Sequence, residues 1–572
     1  MSALSDQQLL QLAADRPEPV LTVLKRAKAF RPLVFVLALI PGLIVIQRDE
    51  LMRHDSLFIL QCLDYWNGTF TAPFSLPYWM TGLSLQLSEL SLSWRFLLPT
   101  YLCGVLLVLM VFMLTQTMLN SRCGLLTALL LLTHPYYLDQ LTHQVTPMCG
   151  LALLMVSLWG YQRHLQQNTL FSPYLLVGAV AAGINMFVSP PYPLFVVAWL
   201  IGDLVLMTLL RYFVPRPNGT KTNKEIGMSN SIRFRFISIA GIGAIIAASG
   251  LFLFSMRWLR EEEFTWLVPQ LTPVSWEEQQ LLHALLGTTG FLIGFVLIGL
   301  IVCLKLFFAV GRPATRYRFW LIGLILSGSV WFSSNQALQH LPDLVASWKL
   351  LFTVALLVLA AISLDKILER EVPVLQTIFA FLVAVLIGLG YTLSTFDSLN
   401  IGTELVALLL IALIAWRLWD RVQRQEIRAR FLLSVGLLCL LLMCIANGFL
   451  LRKETPFFAE NVNQFEKGIH EVTKSADRFF VISEQDLQPT IRAILRLQWM
   501  NRPLEHYRNW NEALNKLKSA DQFQPPAVLV INTESLVAPD LASTLPGWGL
   551  QPIGKEYYLQ HYVLRCYLAE RK

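Results

Sequence analysis

The chain has 572 residues, 55% of them hydrophobic and only 15% charged, with a mean hydropathy of +0.53, where a water-soluble domain carries about 25% charge. A soluble globular fold and a single signal anchor are both excluded, because apolar runs long enough to cross a hydrocarbon core of roughly 30 Å recur along most of the chain. The formal net charge of +7 does not point to nucleic acid, since Lys and Arg sit mostly in short loops between the apolar runs rather than on one face.

A polar leader, residues 1–31, ends in the basic cluster Lys25, Arg26, Lys28 and Arg31. Hydropathy then predicts about thirteen spans, near 32–47, 96–115, 124–139, 146–162, 172–188, 191–210, 236–256, 284–308, 319–334, 348–364, 374–393, 401–416 and 431–451. With the N-terminus cytoplasmic, the leader and alternate loops hold roughly two dozen Lys and Arg, against about five in the opposite short loops, which is the asymmetry of the positive-inside rule. An odd number of spans places residues 452–572 outside the cytoplasm. The fold class expected is a polytopic α-helical membrane protein of about thirteen spans. Its spanning domain is 32–451, with a large first extracytoplasmic loop at 48–95, and 452–572 is a small extracytoplasmic α/β domain.

The first loop is amphipathic. His54, Gln61, Asp64 and Gly68 recur at helical spacing, with Phe58, Ile59, Leu60, Leu63 and Trp66 elsewhere around the turn, which suits a helix lying in the membrane interface. Its second half contains LSLQLSELSLS, whose alternation fits a strand, although Thr81, Ser84, Ser88 and Ser91 also make one helical face. Asp49 and Glu50 follow the first span directly. They either end a helix at the water boundary or place a carboxylate able to take a proton from an acceptor hydroxyl.

THPYYLDQLTHQVTP, between the third and fourth spans, brings His134, Asp139 and His143 to the same side of the membrane as Asp49. The nine-residue separation of the two His residues is not a metal-ligand spacing, so a hydrogen-bonded role is expected for them. Later external segments carry Arg257 and Arg260, the solvated acidic run Glu261 to Glu263, and then His340, Asp343 and Lys349. Cations at span ends commonly snorkel, and they can also pair with a lipid phosphate.

The tail alternates short apolar strands with helical stretches. RFFVIS (478–483), LEHYRNW (504–510), AVLVIN (527–532) and YYLQHYVLRCYL (557–568) are predicted strands, and LQPTIRAILRLQ and NEALNKLKS predicted helices. No glycine-rich phosphate loop follows any of these strands, so nucleotide binding has no support. The eight cysteines include no CxxC pair, and Cys103, Cys149, Cys303, Cys439 and Cys444 fall in apolar runs, which marks them as core packing.

Several of these pieces together resemble the large-loop GT-C membrane glycosyltransferases, in particular glycosyltransferase family 39, the protein O-mannosyltransferases and the aminoarabinose transferase acting on lipid A. A span is followed by the acidic pair of RDELMRHD, an amphipathic loop and a proline-aromatic turn, FSLPYWMTGLS, similar to the family's PPLxYW. SWRFLLPTYLCGVL is similar to the family's RLPS opening of the second span, and HQVTP to its HxxTPD signature. These parts cover about 115 residues, and their order and spacing carry the resemblance.

The resemblance implies a sugar carried on a polyprenyl phosphate and transferred with inversion to an external acceptor, which is a lipid, a glycan or a protein. It places the catalytic or acceptor-positioning acid at Asp49, with Glu50 beside it. Arg53, His54, Asp55, Asp139, His143, His340 and Lys349 are the candidate substrate-binding residues. Metal ligands and cofactor are left open, a divalent cation being the one candidate. The chain departs from the pattern at Met148, where the family has Asp, and Asp139 or Asp55 are the candidate replacements. A transporter or flippase of lipid-linked sugars is the first alternative, but no repeated half supports it. A catalytically degenerate lipid-binding scaffold is the second, with Met148 as its support.

Overall fold

A computed structural model describes residues 31–40, 53–66, most of 75–213, 221–258, 293–307, 312–337, 342–368, 478–482, most of 504–515, 527–532, 548–559 and 562–571. It divides into two compact units. One comprises Met1–Pro41, Cys103–Leu138 and Pro147–Ile445, the other Gly42–Leu102, Asp139–Thr146 and Ala446–Lys572. The predicted spans at 374–393, 401–416 and 431–451 lie outside the described residues.

In chain order the helices of the first unit are α1 (Arg31–Ile40), then α5 (Ser121–Thr133), α7 (Val145–Gln167), α8 (Pro173–Asn185), α9 (Pro191–Phe213), α10 (Lys221–Trp258), α11 (Ile293–Phe307), α12 (Arg312–Ala337) and α13 (Pro342–Leu368). The loop between α1 and α5 supplies α2 (Arg53–Trp66), α3 (Leu76–Leu85) and the long α4 (Leu92–Met118), and a short α6 (Pro135–Gln140) precedes α7. Among the described residues five helices are long and apolar enough to cross a membrane, at Trp94–Met118, Val145–Gln167, Pro191–Leu209, Ile232–Ser255 and Val345–Lys366. The chain is a multi-pass membrane protein.

Local sequence explains where these helices begin. Pro135, Pro173, Pro191 and Pro342 each open one; the first turn has no use for the N–H that proline lacks. Asn120 caps α5 by accepting from the Cys123 N–H at 2.7 Å. Ser172 caps α8 in the same way through Leu175, and its hydroxyl also lies 3.0 Å from Nδ1 of the buried His164.

Burial separates central from peripheral helices. The apolar window of α13 is 83% buried and that of α10 only 22%, so among the described spans α13 is the most enclosed and α10 the most exposed. α13 packs against α5, α11 and α12, and α10 packs against α8 and α9. Close approach needs glycine: a Cβ on Gly160 would lie 2.5 Å from the Tyr174 carbonyl and 2.8 Å from the Gly178 Cα, so α7 and α8 meet backbone to backbone. Such small-residue contacts are how helices gain van der Waals attraction in lipid, where burial of apolar surface supplies no drive.

Two ionic contacts, each with a buried carboxylate, tie helices together. Tyr161 on α7 donates to Asp203 Oδ2 on α9 at 2.9 Å, Arg235 on α10 donates to the Tyr161 hydroxyl at 3.2 Å, and Arg235 and Asp203 form an ion pair. On α13, Asp365 accepts from Asn120 at 2.7 Å and pairs with Arg122 at 3.1 Å. A lone charge in these positions would be costly, and each is paired.

In the second unit α2 and α3 pack through an aromatic cluster: Tyr78 lies 5.2 Å from Phe58 and 5.8 Å from Tyr65, and Phe58 lies 6.4 Å from Phe96 at the start of α4. The start of the LSLQLSELSLS stretch, Leu83–Leu85, is helical and ends α3, on which Thr81 and Ser84 are buried; Ser88 and Ser91 lie outside the described residues. Buried too is Cys62 on α2, whose thiol burial pushes well above its ordinary range, so it packs and does not react.

The C-terminal residues form a five-stranded sheet of order β2-β1-β3-β5-β4, from β1 (Arg478–Ile482), β2 (Leu504–Tyr507), β3 (Ala527–Asn532), β4 (Trp548–Leu559) and β5 (Tyr562–Arg571). β1 pairs in parallel with β2 and β3, while β5 runs antiparallel to β3 and β4. Phe480, Val481 and Ile482 are successive and all buried, as a strand covered on both faces requires. The sequence expectation of a single strand over 557–568 is corrected: the run is two strands, Leu559 pairing with Tyr562. A period-two pattern continues across so tight a reversal and does not show it.

Candidate functional site

The predicted third span, 124–139, ends earlier than expected. α5 stops at Thr133, and Pro135 opens α6 after a break at His134. Proline has no amide hydrogen and disfavours helix in the residue before it, which sets this boundary. His134 closes the break: it is buried, and its Nδ1 accepts from the Tyr136 N–H at 3.2 Å. The hydrogen-bonded role expected for His134 is the one observed.

Asp139 and His143 come together in the turn after α6. Nε2 of His143 lies 3.7 Å from Asp139 Oδ1, and the Asp139 carboxylate is 44% exposed. The turn is held by backbone and hydroxyls: the Asp139 carbonyl accepts from the Thr142 amide at 2.9 Å and its hydroxyl at 2.6 Å, and the His143 carbonyl accepts from Thr100 on α4 at 2.9 Å. The carboxylate therefore stays partly open to solvent while its backbone is fixed. Met148, in the first turn of α7, is fully buried.

Arg53, His54 and Asp55 fall in the first turn of α2. Asp49, Glu50 and His340 lie outside the described residues, as do Arg260 and the Glu261 to Glu263 run.

Within the first unit, Lys349 sits on the second turn of α13 with its ammonium 4.3 Å from the centroid of the Tyr136 ring. Tyr136 in turn donates to the Ala346 carbonyl at 3.0 Å. One residue before Lys349, Trp348 packs at 5.4 Å on Tyr192 and 5.0 Å on Phe195, and the Tyr192 hydroxyl donates to Ser347 Oγ. The Tyr192 ring packs directly on Gly150, leaving no room there for a Cβ. Tyr136 and Tyr192 were not singled out from sequence, where adjacent aromatics at a span end signal only an interfacial belt.

Among the described residues no group of three His, Cys, Asp or Glu side chains could hold a metal ion. Asp139 and His143 offer two ligands and do not by themselves fit one, so no chemical step is routed through a metal.

The profile of the family described as "Dolichyl-phosphate-mannose-protein mannosyltransferase" matches residues 73–215, a stretch that includes Asp139, His143 and Met148. No curated protein sequence matches the chain. Among solved structures, ArnT from Cupriavidus metallidurans bound to undecaprenyl phosphate is similar, with a TM-score of 0.58 at 16% identity over 94% of this chain and 98% of that one. The apo state of the same protein gives a TM-score of 0.56 at 16% identity, over 95% and 98%. At that identity the shared property is the fold alone.

Proposed function

We propose that this protein transfers a sugar from a polyprenyl-phosphate donor to a lipid, glycan or protein acceptor on the extracytoplasmic face of the inner membrane. The observation that carries the reading is the fold likeness along almost the whole chain to a protein whose structure holds undecaprenyl phosphate. The family profile over residues 73–215 supports it independently.

In this reading Asp49, with Glu50 beside it, takes the proton of the acceptor hydroxyl. The oxygen then attacks the anomeric carbon from the face opposite the phosphate, and the bond to the phosphate oxygen breaks with its electrons leaving on the polyprenyl phosphate, which inverts the centre. Lys349 offsets the charge that develops on that phosphate. Arg53, His54, Asp55, Asp139, His143 and His340 are assigned to donor and acceptor contacts. The C-terminal sheet domain is assigned to the same external compartment.

The buried Met148 favours one second reading, a protein that binds the lipid-linked sugar and has lost transfer. Reconstituted protein supplied with polyprenyl-phosphate sugars and membrane acceptors separates the two. Glycosyl transfer by the wild type, abolished in Asp49→Asn and Asp49→Ala at unchanged thermal stability, is the expected result. Binding without transfer to any acceptor would establish the scaffold, and full activity in both variants would remove Asp49 from the mechanism.

A further inference from the structure

Among the described residues α13 is the most buried of the helices able to cross a membrane, and from Ser347 to Ser363 nearly every residue is enclosed. Lys349 interrupts that run as a half-buried cation. The Tyr136 ring lies 4.3 Å from that ammonium and meets it with its negative face, and it does so from α6, a helix remote in sequence.

Two tyrosines fix the turn that carries this lysine. The Tyr136 hydroxyl bonds the Ala346 carbonyl and its ring underlies the ammonium, so one side chain sets both the backbone and the charge. Tyr192 bonds Ser347 and stacks on Trp348 from the other side, and it is itself clamped on Gly150. Asn185 extends the frame by donating to the Gly150 carbonyl at 2.9 Å. A flexible four-carbon lysine chain gains little by chance from so many contacts on its immediate neighbours. Restricting it before a ligand arrives removes an ordering cost from binding.

We infer that Tyr136 and Tyr192 are positioning residues that hold the Lys349 ammonium ready for the phosphate of a lipid-borne phosphomonoester, an assignment that rests on the glycosyl-transfer reading above. The ring of Tyr136 orients the charge, and the hydroxyls of Tyr136 and Tyr192 fix the helix turn beneath it.

The test is titration of the full-length protein in nanodiscs with undecaprenyl phosphate, and separately with inorganic phosphate. Wild type binds the lipid phosphate and binds inorganic phosphate far more weakly. Lys349→Gln weakens lipid binding by about tenfold, the scale of a desolvated cationic contact, and Lys349→Arg recovers most of it. Tyr136→Leu weakens binding by a similar factor, Tyr136→Phe by less because the ring remains, and Tyr192→Phe weakens it with its ring still packed on Gly150.

Combining Tyr136→Leu with Lys349→Gln adds nothing to Lys349→Gln alone, since the tyrosine acts through the lysine. A purely structural tyrosine gives additive losses, and that outcome overturns the inference. Variants that bind as wild type overturn it too while leaving the glycosyl-transfer reading intact. Inorganic phosphate binding as tightly as the lipid overturns the lipid assignment, and a wild type that binds neither phosphate removes both the inference and the reading beneath it.

Discussion

The Ser84 hydroxyl lies 2.6 Å from the Arg95 carbonyl, the carbonyl whose helical partner four residues on would be the N–H of Pro99. Proline has no such hydrogen, and the freed acceptor sits where membrane helices are short of water. A serine from α3 satisfies it, which fastens the first loop to the head of α4. The same hydroxyl also lies 2.9 Å from the Thr81 carbonyl of its own helix, but the shorter contact is the one to Arg95.

Ser84→Ala is therefore expected to cost about 1–3 kcal/mol, the range for a buried acceptor left unmade. Ser84→Thr, which restores a hydroxyl, should recover part of that loss. Thermal unfolding of the purified protein in detergent measures both, and an alanine variant as stable as wild type would show that another group serves the Arg95 carbonyl.

The Asp203 and Arg235 side chains are 2% and 8% exposed, so removing either partner strands a charge. Asp203→Leu alone is expected to destabilise by about 3–5 kcal/mol, while Asp203→Leu combined with Arg235→Met returns most of the loss. The melting temperatures of the two variants decide it. A double variant no better than the single would mean that Tyr161 or another group, rather than the pair, holds α9 to α10.

Met148 occupies the position where the resemblance expects an acid, and it is fully buried. Met148→Asp is expected to lower the melting temperature, by well over about 2 kcal/mol in stability, since a carboxylate there gives up its hydration. No gain in transfer should follow. Faster transfer at undiminished stability would show that the site still accepts the acid.

The Asp139 carboxylate is 44% exposed beside His143. Asp139→Asn keeps the turn, because Thr142 bonds the Asp139 backbone carbonyl and not the carboxylate. Transfer is expected to fall by about tenfold, the scale of one lost charge-assisted substrate contact, with the melting curve unchanged. An asparagine variant of wild-type activity would limit the pair to a structural part.

Sequence alone determined the solvent class of this chain and the approximate places of the apolar helices among the described residues, because runs of residues that avoid water read directly from composition and length. It also marked the first loop as amphipathic and brought Asp139 and His143 into one candidate segment, since those two are close in the chain. It left the end of α3 open between helix and strand, where the LSLQLSELSLS alternation competed with the helical face of Thr81 and Ser84, and it carried one strand across the break between Leu559 and Tyr562. Periodicity reports which face of an element is covered and says nothing about what covers it. Tertiary structure alone decided the pairs made across long stretches of chain: Tyr136 under Lys349, Tyr192 on Ser347, Asp203 with Arg235. Each depends on two helices arriving at one depth with side chains turned toward each other, a relation that packing sets and that no local pattern in the sequence encodes.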